Sequence, residues 1–592
     1  MKKILFFLLI NFSVFAQNYQ RDWGTYTFNE RYKIYDSKVD SQGNLYVVGI
    51  VSVSPYSCFY YFENLTNPYN NQPLGGETDG IIIKYNNLGQ IVWGTYIGGS
   101  GNDKVTSIDI DTNDNIYIIG VTNSTTNIAS INAYQPQKEY GSDFMIAKFQ
   151  SNGILDWNTY YGGNGNEDSY SIFGIDSNNV VITHDKTNNL YFAGITDSTN
   201  LSTPGSFQYL RDKSRGVLTK FSDSGSLIWS TYYTQNIDYI TSLSTSDNAL
   251  YVSGFFNDCD TSVDGITQNP PSTYYGTIDG FQPQSDVCHT QFLSKFNFSG
   301  QRIWGTYYEN TLGSSIQNSV KTYQDKVYLA GNSYQGNMGT TGTFQPNGTP
   351  NKFTPYLVQF NEDGTRNWAT YNGLTNEAQA ATEASVNIDQ DGNAYLYGST
   401  TFPQNISTTN AYQTDINGTR DGYISKFDTN GQKLWGSYYG GENYEDLVGF
   451  LPYQDGFYLV GMTNSITNIA TPISDTEIQP YEICDEDAQN PQNIFVAHFK
   501  INPLSTKNNT LNKLELYPNP NNGNFTFKGN FIGLQNLKIT IYDNQGRIIY
   551  INKPNVIEDI ITVNLENKVQ TGMYFVKVSN TEIEQTIKMI IE

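Results

Sequence analysis

The chain has 592 residues, a formal net charge of −23, 46 tyrosines and 52 glycines. This length exceeds one ordinary hydrophobic core, so it requires several domains or a closed repeat. The negative charge excludes a nucleic-acid-binding surface, which needs clustered Lys and Arg. Residues 500–592 hold 10 Lys and Arg against 8 Asp and Glu, so the acidity belongs to the larger part of the chain that precedes them.

The N-terminus has the pattern of a secretory signal peptide. Lys2 and Lys3 form a basic region, residues 4–14 form an apolar run, and Ala16 ends a small-residue cleavage site. The run is too short for a permanent membrane anchor. We expect residues 1–16 to be removed and the mature protein to be exported without a membrane span.

The rest of the chain up to residue 499 is a sevenfold repeat. All seven tryptophans share the motif W-x-[TS]-Y, and each opens a unit with a second strand, a third strand ending in Gly, a long loop containing Gln, and a fourth strand. The tryptophans are Trp23, Trp93, Trp157, Trp229, Trp304, Trp368 and Trp435. High Tyr and Gly content with no sustained helical period favours an all-β fold. Four strands in each of seven units predict a seven-bladed β-propeller over 17–499.

The order of the strands predicts how the ring closes. The domain begins with a Trp strand and ends with a fourth strand, and a short turn joins these two strand types elsewhere. We therefore expect the strand at 23–26 to pair with the strand at 493–499 in the last blade.

The sequence motifs of the repeat resemble those of a known family. W-x-T-Y-x-G-G-x-G-x-D, D-x-x-G-N-x-Y-x-x-G, A-Y-Q or F-Q, and D-x-F-x-x-K-F follow one another, with the best copy at 93–149. This series resembles the bacterial seven-bladed β-propeller repeat family, SBBP. The resemblance implies a fold and no particular function.

The repeat pattern of the sequence ends at residue 499, and a different pattern follows. Residues 500–513 are a polar linker, and 514–592 alternate apolar and polar residues between Asn and Gly turns, as in a small antiparallel sandwich. Tyr517-Pro518-Asn519-Pro520, Gly523 and the 572–574 segment resemble the type A C-terminal sorting domain of the type IX secretion system of Bacteroidota. The resemblance implies type IX machinery as a partner and a location outside the cell or on the outer-membrane surface. An alternative interpretation of this sandwich is a carbohydrate-binding or adhesive module.

No enzyme motif is present, and we predict no cofactor and no metal site. The only histidines are His184, His289 and His498. His498 occupies a repeat position that is Lys in other units, which indicates a structural role. The segment 109–115 resembles a calcium loop, but Asp and Asn at this turn are ordinary turn residues. The Gln of each loop and the repeated Trp and Tyr favour structural roles as well.

The four cysteines lie in the loops between third and fourth strands of units 1, 4 and 7. An oxidising exterior permits two disulfides. Three pairings are possible from sequence. The hypothesis adopted here pairs Cys259 with Cys288 within one loop and Cys58 with Cys484 across the ring closure.

Two functions remain open from the sequence. The first is a monomeric binding or adhesion protein that uses the face carrying the long loops, with a glycan or surface protein as ligand. Tyr56, Tyr60, Tyr61, Tyr274 and Tyr275 are its candidate exposed aromatic contacts. The second is an extracellular hydrolase or lyase acting on polysaccharide. Carboxylates clustered with Arg or His at the channel mouth would favour the second.

Overall fold

The computed structural model is all-β in the residues that it describes. Those are 18–28, 32–52, 69–167, 180–211, 215–234, 238–256, 274–285, 290–308, 319–373, 384–401, 405–471, 493–502, 515–528, 537–554, 560–565, 569–579 and 584–592. The chain divides into two compact units, Met1–Ile501 and Asn502–Glu592. The signal peptide predicted at 1–16 lies outside the described residues.

The described strands of the first unit form seven four-stranded sheets, here called blades 1 to 7. Blade 1 holds β2 (Tyr32–Val39), β3 (Leu45–Ser52), β4 (Thr78–Tyr85) and β5 (Ile91–Ile97); blade 2 holds β6 (Asp103–Ile110), β7 (Ile116–Thr122), β8 (Asp143–Phe149) and β9 (Leu155–Tyr161). Blade 3 holds β10 (Val181–His184), β11 (Leu190–Ile195), β12 (Gly216–Phe221) and β13 (Leu227–Tyr232); blade 4 holds β14 (Tyr239–Thr245), β15 (Ala249–Phe256), β16 (Thr290–Asn297) and β17 (Arg302–Tyr308). Blade 5 holds β18 (Ser319–Tyr323), β19 (Lys326–Ser333), β20 (Thr354–Asn361) and β21 (Arg366–Tyr371); blade 6 holds β22 (Ser385–Ile388), β23 (Ala394–Thr400), β24 (Asp421–Phe427) and β25 (Lys433–Tyr439). Blade 7 holds β26 (Glu445–Tyr453), β27 (Gly456–Thr463), β28 (Asn493–Asn502) and β1 (Asn18–Phe28).

The first strand of each blade lies innermost. Each of these strands contacts the innermost strand of the next blade, and β26 of blade 7 returns to β2 of blade 1, so the ring is closed around a central channel. The middle strands of each blade are almost wholly buried, because both faces of a blade pack against neighbouring blades. The propeller prediction is confirmed.

Ring closure also follows the prediction. Strand β1 is the outermost strand of blade 7 and pairs with β28. The Thr27 hydroxyl reaches the Ile494 carbonyl, while Asp22 forms an ion pair with Lys500, so the two strands run in opposite directions. The two ends of the propeller therefore meet in one sheet.

The repeated Trp joins each blade to the next. Trp93 Nε1 donates to the Ser151 carbonyl of blade 2 at 3.2 Å, and Lys84 Nζ donates to the same carbonyl at 2.9 Å. The Lys84 amine lies 4.9 Å from the centre of the Tyr46 ring, a cation–π distance. The same Trp-to-turn bond links Trp23 to Asn87, Trp157 to Asp223, Trp229 to Phe298, Trp304 to Glu362, and Trp368 to Thr429.

Six of the seven Trp residues have a Gly four residues before them, and this Gly serves the joint. Gly89 has a φ of 77°, which favours glycine, and a Cβ at Gly89 would lie 2.7 Å from the Trp23 ring. Trp435 differs because blade 7 is closed by the two ends of the domain and has no such turn. It donates to Asn410 in its own blade and packs edge-on against Tyr19, with ring centres 4.7 Å apart.

The second unit has a separate core. Its strands β29 (Glu515–Tyr517), β30 (Asn524–Lys528) and β33 (Ile560–Asn564) form one sheet. Strands β31 (Lys538–Asp543), β32 (Ile548–Asn552), β34 (Gly572–Ser579) and β35 (Glu584–Ile591) form the other. Phe525, Ile539 and Val576 are among the buried residues of the core between these sheets.

Candidate functional site in the central channel

The pairing register places one residue of each innermost strand opposite the repeated Tyr of the next strand. These seven residues are Lys38, Asp109, Thr183, Ser244, Lys321, Asn387 and Leu451. The position is thus occupied by ionisable side chains in three blades and by uncharged ones in four. Lys38 comes two residues before the short turn that begins at Asp40, so this layer lies near the channel mouth on the face with the short turns.

Charged side chains from three blades contact one another in this layer. We call Lys38, Asp109 and His184, together with Asp36 and Lys321, the channel cluster. Lys38 Nζ of blade 1 lies 3.0 Å from Asp109 Oδ1 of blade 2. The other carboxylate oxygen of Asp109 lies 2.6 Å from Nδ1 of His184 in blade 3, and it also accepts from the His184 backbone N–H. The side chains of Lys38, Asp109 and His184 are 25%, 10% and 18% exposed, so water reaches the cluster.

The second carboxylate of the cluster is also engaged. Asp36 Oδ2 accepts from the Ser107 hydroxyl at 2.7 Å and from the Ile108 N–H at 3.1 Å. Its other oxygen accepts from the Ser37 N–H at 2.8 Å. Both acids therefore accept hydrogen bonds through both of their oxygens.

These contacts shift the pKa values of the side chains in the cluster. Burial favours the neutral form of Asp109, but the charges and hydrogen bonds of Lys38 and His184 outweigh burial and hold the pKa of Asp109 well below its usual range. Burial likewise opposes the charged form of His184, but Asp109 raises the His184 pKa above its ordinary value. The positive charge of Lys38, together with burial, lowers the pKa of Lys321 to about 8.

The arrangement thus has two ammonium groups, one imidazole and two engaged carboxylates. Asp109 is not the free carboxylate that a general base requires, because it holds both Lys38 and His184. Lys321 is the cluster member whose pKa is lowered chiefly by the charge of another cation, Lys38. No group of three or more His, Cys, Asp or Glu side chains within the described part of the chain is arranged to hold a metal ion.

The tyrosines proposed from the sequence have different outcomes. Tyr56, Tyr60 and Tyr61 lie outside the described residues. Tyr275 is not exposed, which corrects the expectation: it is fully buried, its ring stacks on Phe292 at 3.9 Å between centres, and its hydroxyl donates to Asp238. The loop folds back onto its own blade because burying an aromatic ring stabilises it more than exposure does.

Tyr274 is partly buried, and its hydroxyl donates to the side-chain oxygen of Gln208 in blade 3. Its role in ligand binding stays a prediction. The pairing of Cys58, Cys259, Cys288 and Cys484 also stays a prediction, since all four lie outside the described residues.

The repeated loop Gln has the structural role expected of it. Gln135 Nε2 donates to Asp143 at 2.8 Å, and its Oε1 accepts from the Gly162 N–H at 2.9 Å. Gln413 repeats both bonds in blade 6.

The segment that resembles a calcium loop is a hydrogen-bonded turn. Asp111 Oδ1 accepts from the backbone N–H groups of Asn113 and Asn115. Asp40, Asp185 and Asp389 do the same at the equivalent turns. His498, also expected to be structural, lies against Tyr458 with ring centres 4.6 Å apart.

Sequence reasoning missed the channel cluster. Lys38, Asp109 and Lys321 occupy one repeat position, where charge is unexpected on the innermost strand of a blade. Aligning the seven units on the Tyr of the third strand and searching the facing strand for charge would have found them.

Two protein-family models match the chain. Residues 515–592 match the secretion system C-terminal sorting domain, and residues 92–128 match the beta-propeller repeat. The chain is a β-propeller repeat protein that carries a secretion sorting domain. The sorting domain indicates type IX secretion to the cell surface or the extracellular space, and it implies contact with that machinery. No helix in the described ranges is long and apolar enough to cross a membrane.

A curated relative is an uncharacterised WD repeat-containing protein of Acanthamoeba polyphaga mimivirus. It is 24% identical over 289 residues, which cover 41% of this chain and 19% of that relative.

Similar solved structures include enzymes. A fungal alcohol oxidase of the AA5 family, in complex with copper, has a TM-score of 0.36 at 10% identity, covering 97% of this chain and 100% of that one. An ulvan lyase has a TM-score of 0.37 at 10% identity, covering 76% and 92%. Similarities this low do not bear on the chemistry of this chain.

Proposed function

We propose that this secreted propeller is a non-catalytic binding or adhesion protein that uses the face carrying the long loops. Its ligand is a glycan or a surface protein. The third-to-fourth-strand loops emerge on this face from a rigid ring, so they can vary at little cost to the core. The mature protein acts as a monomer.

The positions of the large apolar side chains that are exposed to solvent support this proposal. Some loop aromatics pack on the next blade, as Tyr134 does on Phe221 and Phe344 on Phe427, and these are structural. Others are more exposed and lie where the same loops meet the blade-to-blade connections in blades 2, 3 and 7. They are Tyr140 at 67%, Tyr209 at 53%, Leu210 at 72% and Ile466 at 64%. Exposed apolar side chains gathered on one set of loops are typical of interaction surfaces.

The test is a pair of matched surface variants. Tyr140 and Leu88 are both 67% exposed, but Leu88 lies in a short turn on the opposite face. We expect a Tyr140→Ser and Leu210→Ser double variant to lose at least about tenfold in affinity on a glycan array or a cell-surface binding assay. Leu88→Ser should bind as the unmodified protein does. Loss of binding in Leu88→Ser alone would reject the long-loop face.

A second candidate function is hydrolysis or eliminative cleavage of a polysaccharide. One observation favours it: Asp109 and His184 meet in the channel beside two lysines. Incubation with acidic and neutral polysaccharides, followed by an assay of new reducing ends, tests it. Cleavage that disappears in His184→Gln would support this candidate over the first.

A further inference from the structure

When His184 is protonated, the channel cluster carries three positive charges, on Lys38, Lys321 and His184, against the two carboxylates of Asp36 and Asp109. Asp109 pairs with Lys38 and His184, and Asp36 accepts from Ser107 and two backbone N–H groups. Lys321 is the remaining cation. Since like charges in a partly buried site repel, an anion between these groups would be stabilising.

The ring geometry brings the two lysines together. Lys38 lies on blade 1 and Lys321 on blade 5, which face each other across a ring of seven. Both occupy the same register position, opposite Tyr46 and Tyr328, so they lie in one layer of the channel. The positive charge of Lys38 accordingly lowers the pKa of Lys321. His184 of blade 3 joins this group through Asp109, whose carboxylate contacts both the His184 ring and the Lys38 amine. A planar or tetrahedral oxyanion has several acceptor oxygens and suits such a set of donors.

We propose that the channel mouth on the short-turn face binds a carboxylate or sulfate group of an acidic ligand through Lys38, Lys321 and His184. This site is separate from the long-loop face and does not depend on the function proposed for that face. It gives an acidic protein one local point of attraction for anions.

Binding at this site should weaken as pH rises. The titratable groups around the site are Lys38, Lys321, His184, Asp36, Asp109, Asp111 and Tyr397. Lys321 is protonated below its pKa of about 8 and neutral above it. The anion affinity is therefore greatest below that value and falls as pH rises through it, with loss of the imidazolium form of His184 adding to the decline.

The experiment is calorimetric titration of the full mature chain with three probes at about pH 6.5 and about pH 9.5. Galacturonate supplies a carboxylate, inorganic sulfate supplies a sulfate, and galactose is the neutral control. We expect galacturonate or sulfate to bind above galactose, and whichever binds identifies the group that the site prefers. Equal heats for all three probes would overturn the proposal.

Two charge variants locate the binding. Lys321→Gln should weaken anion binding at least about tenfold. Its stability should not fall, since it removes one of two like charges. Lys186→Gln is the matched control, because Lys186 lies in a turn on the same face, is 70% exposed and pairs with Asp247. Unchanged affinity in Lys321→Gln, or an equal loss in Lys186→Gln, would show that the channel is not the site.

Discussion

At the scale of single residues, three connections between blades bury pairs of acids. Asp79 and Asp103 both lie within 2.6 Å of the point where a Cβ of Gly98 would be. Asp143 with Glu167 around Gly162, and Asp421 with Glu445 around Gly440, repeat this arrangement. Within the described part of the chain, one oxygen each of Asp79, Asp103 and Asp143 is buried without a hydrogen-bond partner. Two facing carboxylates cannot both stay ionised cheaply in such a place.

The titration of these acids follows from that geometry. Burial raises the pKa of Asp79 to about 7, against the opposing effect of the Leu74 and Gly75 N–H groups, and the charge of Asp103 adds to the rise. Burial raises the pKa of Glu167 to about 7 and that of Asp143 to about 6. We infer that the Asp79–Asp103 and Asp143–Glu167 pairs each hold a proton in mildly acidic solution. Burial raises the pKa of Asp421 and that of Glu445 as well.

This predicts a loss of stability with rising pH. The folded pKa of Asp79 is about 7 and its ordinary value is 3.8. The folded state therefore binds the proton more tightly, and the stabilising contribution is complete below about pH 4 and lost as pH rises through about 7. Asp79→Asn keeps an oxygen for Leu74 and places an NH₂ toward Asp103. It should be more stable than the unmodified protein by about 1–3 kcal/mol at pH 8.

Urea unfolding at pH 5 and pH 8 measures this difference. Asp391→Asn, at an exposed turn position, is the control and should change stability by less than about 0.5 kcal/mol at either pH. A variant Asp79→Asn that is less stable than the unmodified protein at pH 8 would show that the ionised carboxylate is the stabilising form.

Whether the role of a residue can be predicted from the sequence depends on how far away in the sequence its contact partners lie. The turn Asp, the loop Gln and the Gly before Trp act within their own turn, loop or blade joint. Four copies of the Asp, seven of the Gln and six of the Gly reveal these roles. The channel cluster joins residues from four blades that are remote in sequence, and only ring closure brings them together. The prediction that Tyr275 is exposed was wrong because its loop folds onto Phe292. No local sequence pattern indicates this contact.

At the scale of elements, strand β1 carries the closure of the ring. Tyr19 is buried against Trp435 and Phe457, and Arg21 donates to the Ile469 and Ala470 carbonyls of blade 7. Deleting residues 18–28 would expose the β28 edge and these aromatic surfaces. We expect the melting temperature to fall by at least about 10 °C, well beyond the effect of a single substitution.

A transplanted strand controls for the deletion. In the other six blades the Trp strand follows directly after a short turn, as β9 follows β8. Joining residues 18–28 behind β28 through such a turn should restore the melting temperature of the deletion variant. A deletion variant that melts with the unmodified protein would show that β1 does not hold the ring closed.

The elements themselves were the most predictable feature. Each strand of the repeat is short, apolar and bounded by Gly or Asn turns, and the family resemblance fixed their order. The bulges in the innermost strands, between Ile34 and Asp36 and between Val105 and Ser107, were not foreseen. They depend on how the innermost strands fit against the neighbouring blades.

At the scale of the whole molecule, the two units have separate cores. Among the described residues, the buried clusters of the propeller extend no further than Ile501, and the core of the second unit begins at Leu516. Each unit therefore has what it needs to fold alone. The propeller carries the faces for which we propose ligand binding, and the sorting domain indicates the route out of the cell.

This separation predicts what removal of the sorting domain does. A chain ending at residue 514 should keep the melting temperature of the propeller within about 2 °C, because no core residue of the propeller is lost. In the native host the same truncation should leave the protein inside the cell envelope, since the sorting signal is gone. Calorimetry of the purified proteins measures the first effect, and immunoblots of medium and envelope fractions measure the second. A truncated chain that still reaches the medium would place the export signal elsewhere, and a large fall in melting temperature would mean that the two units stabilise each other.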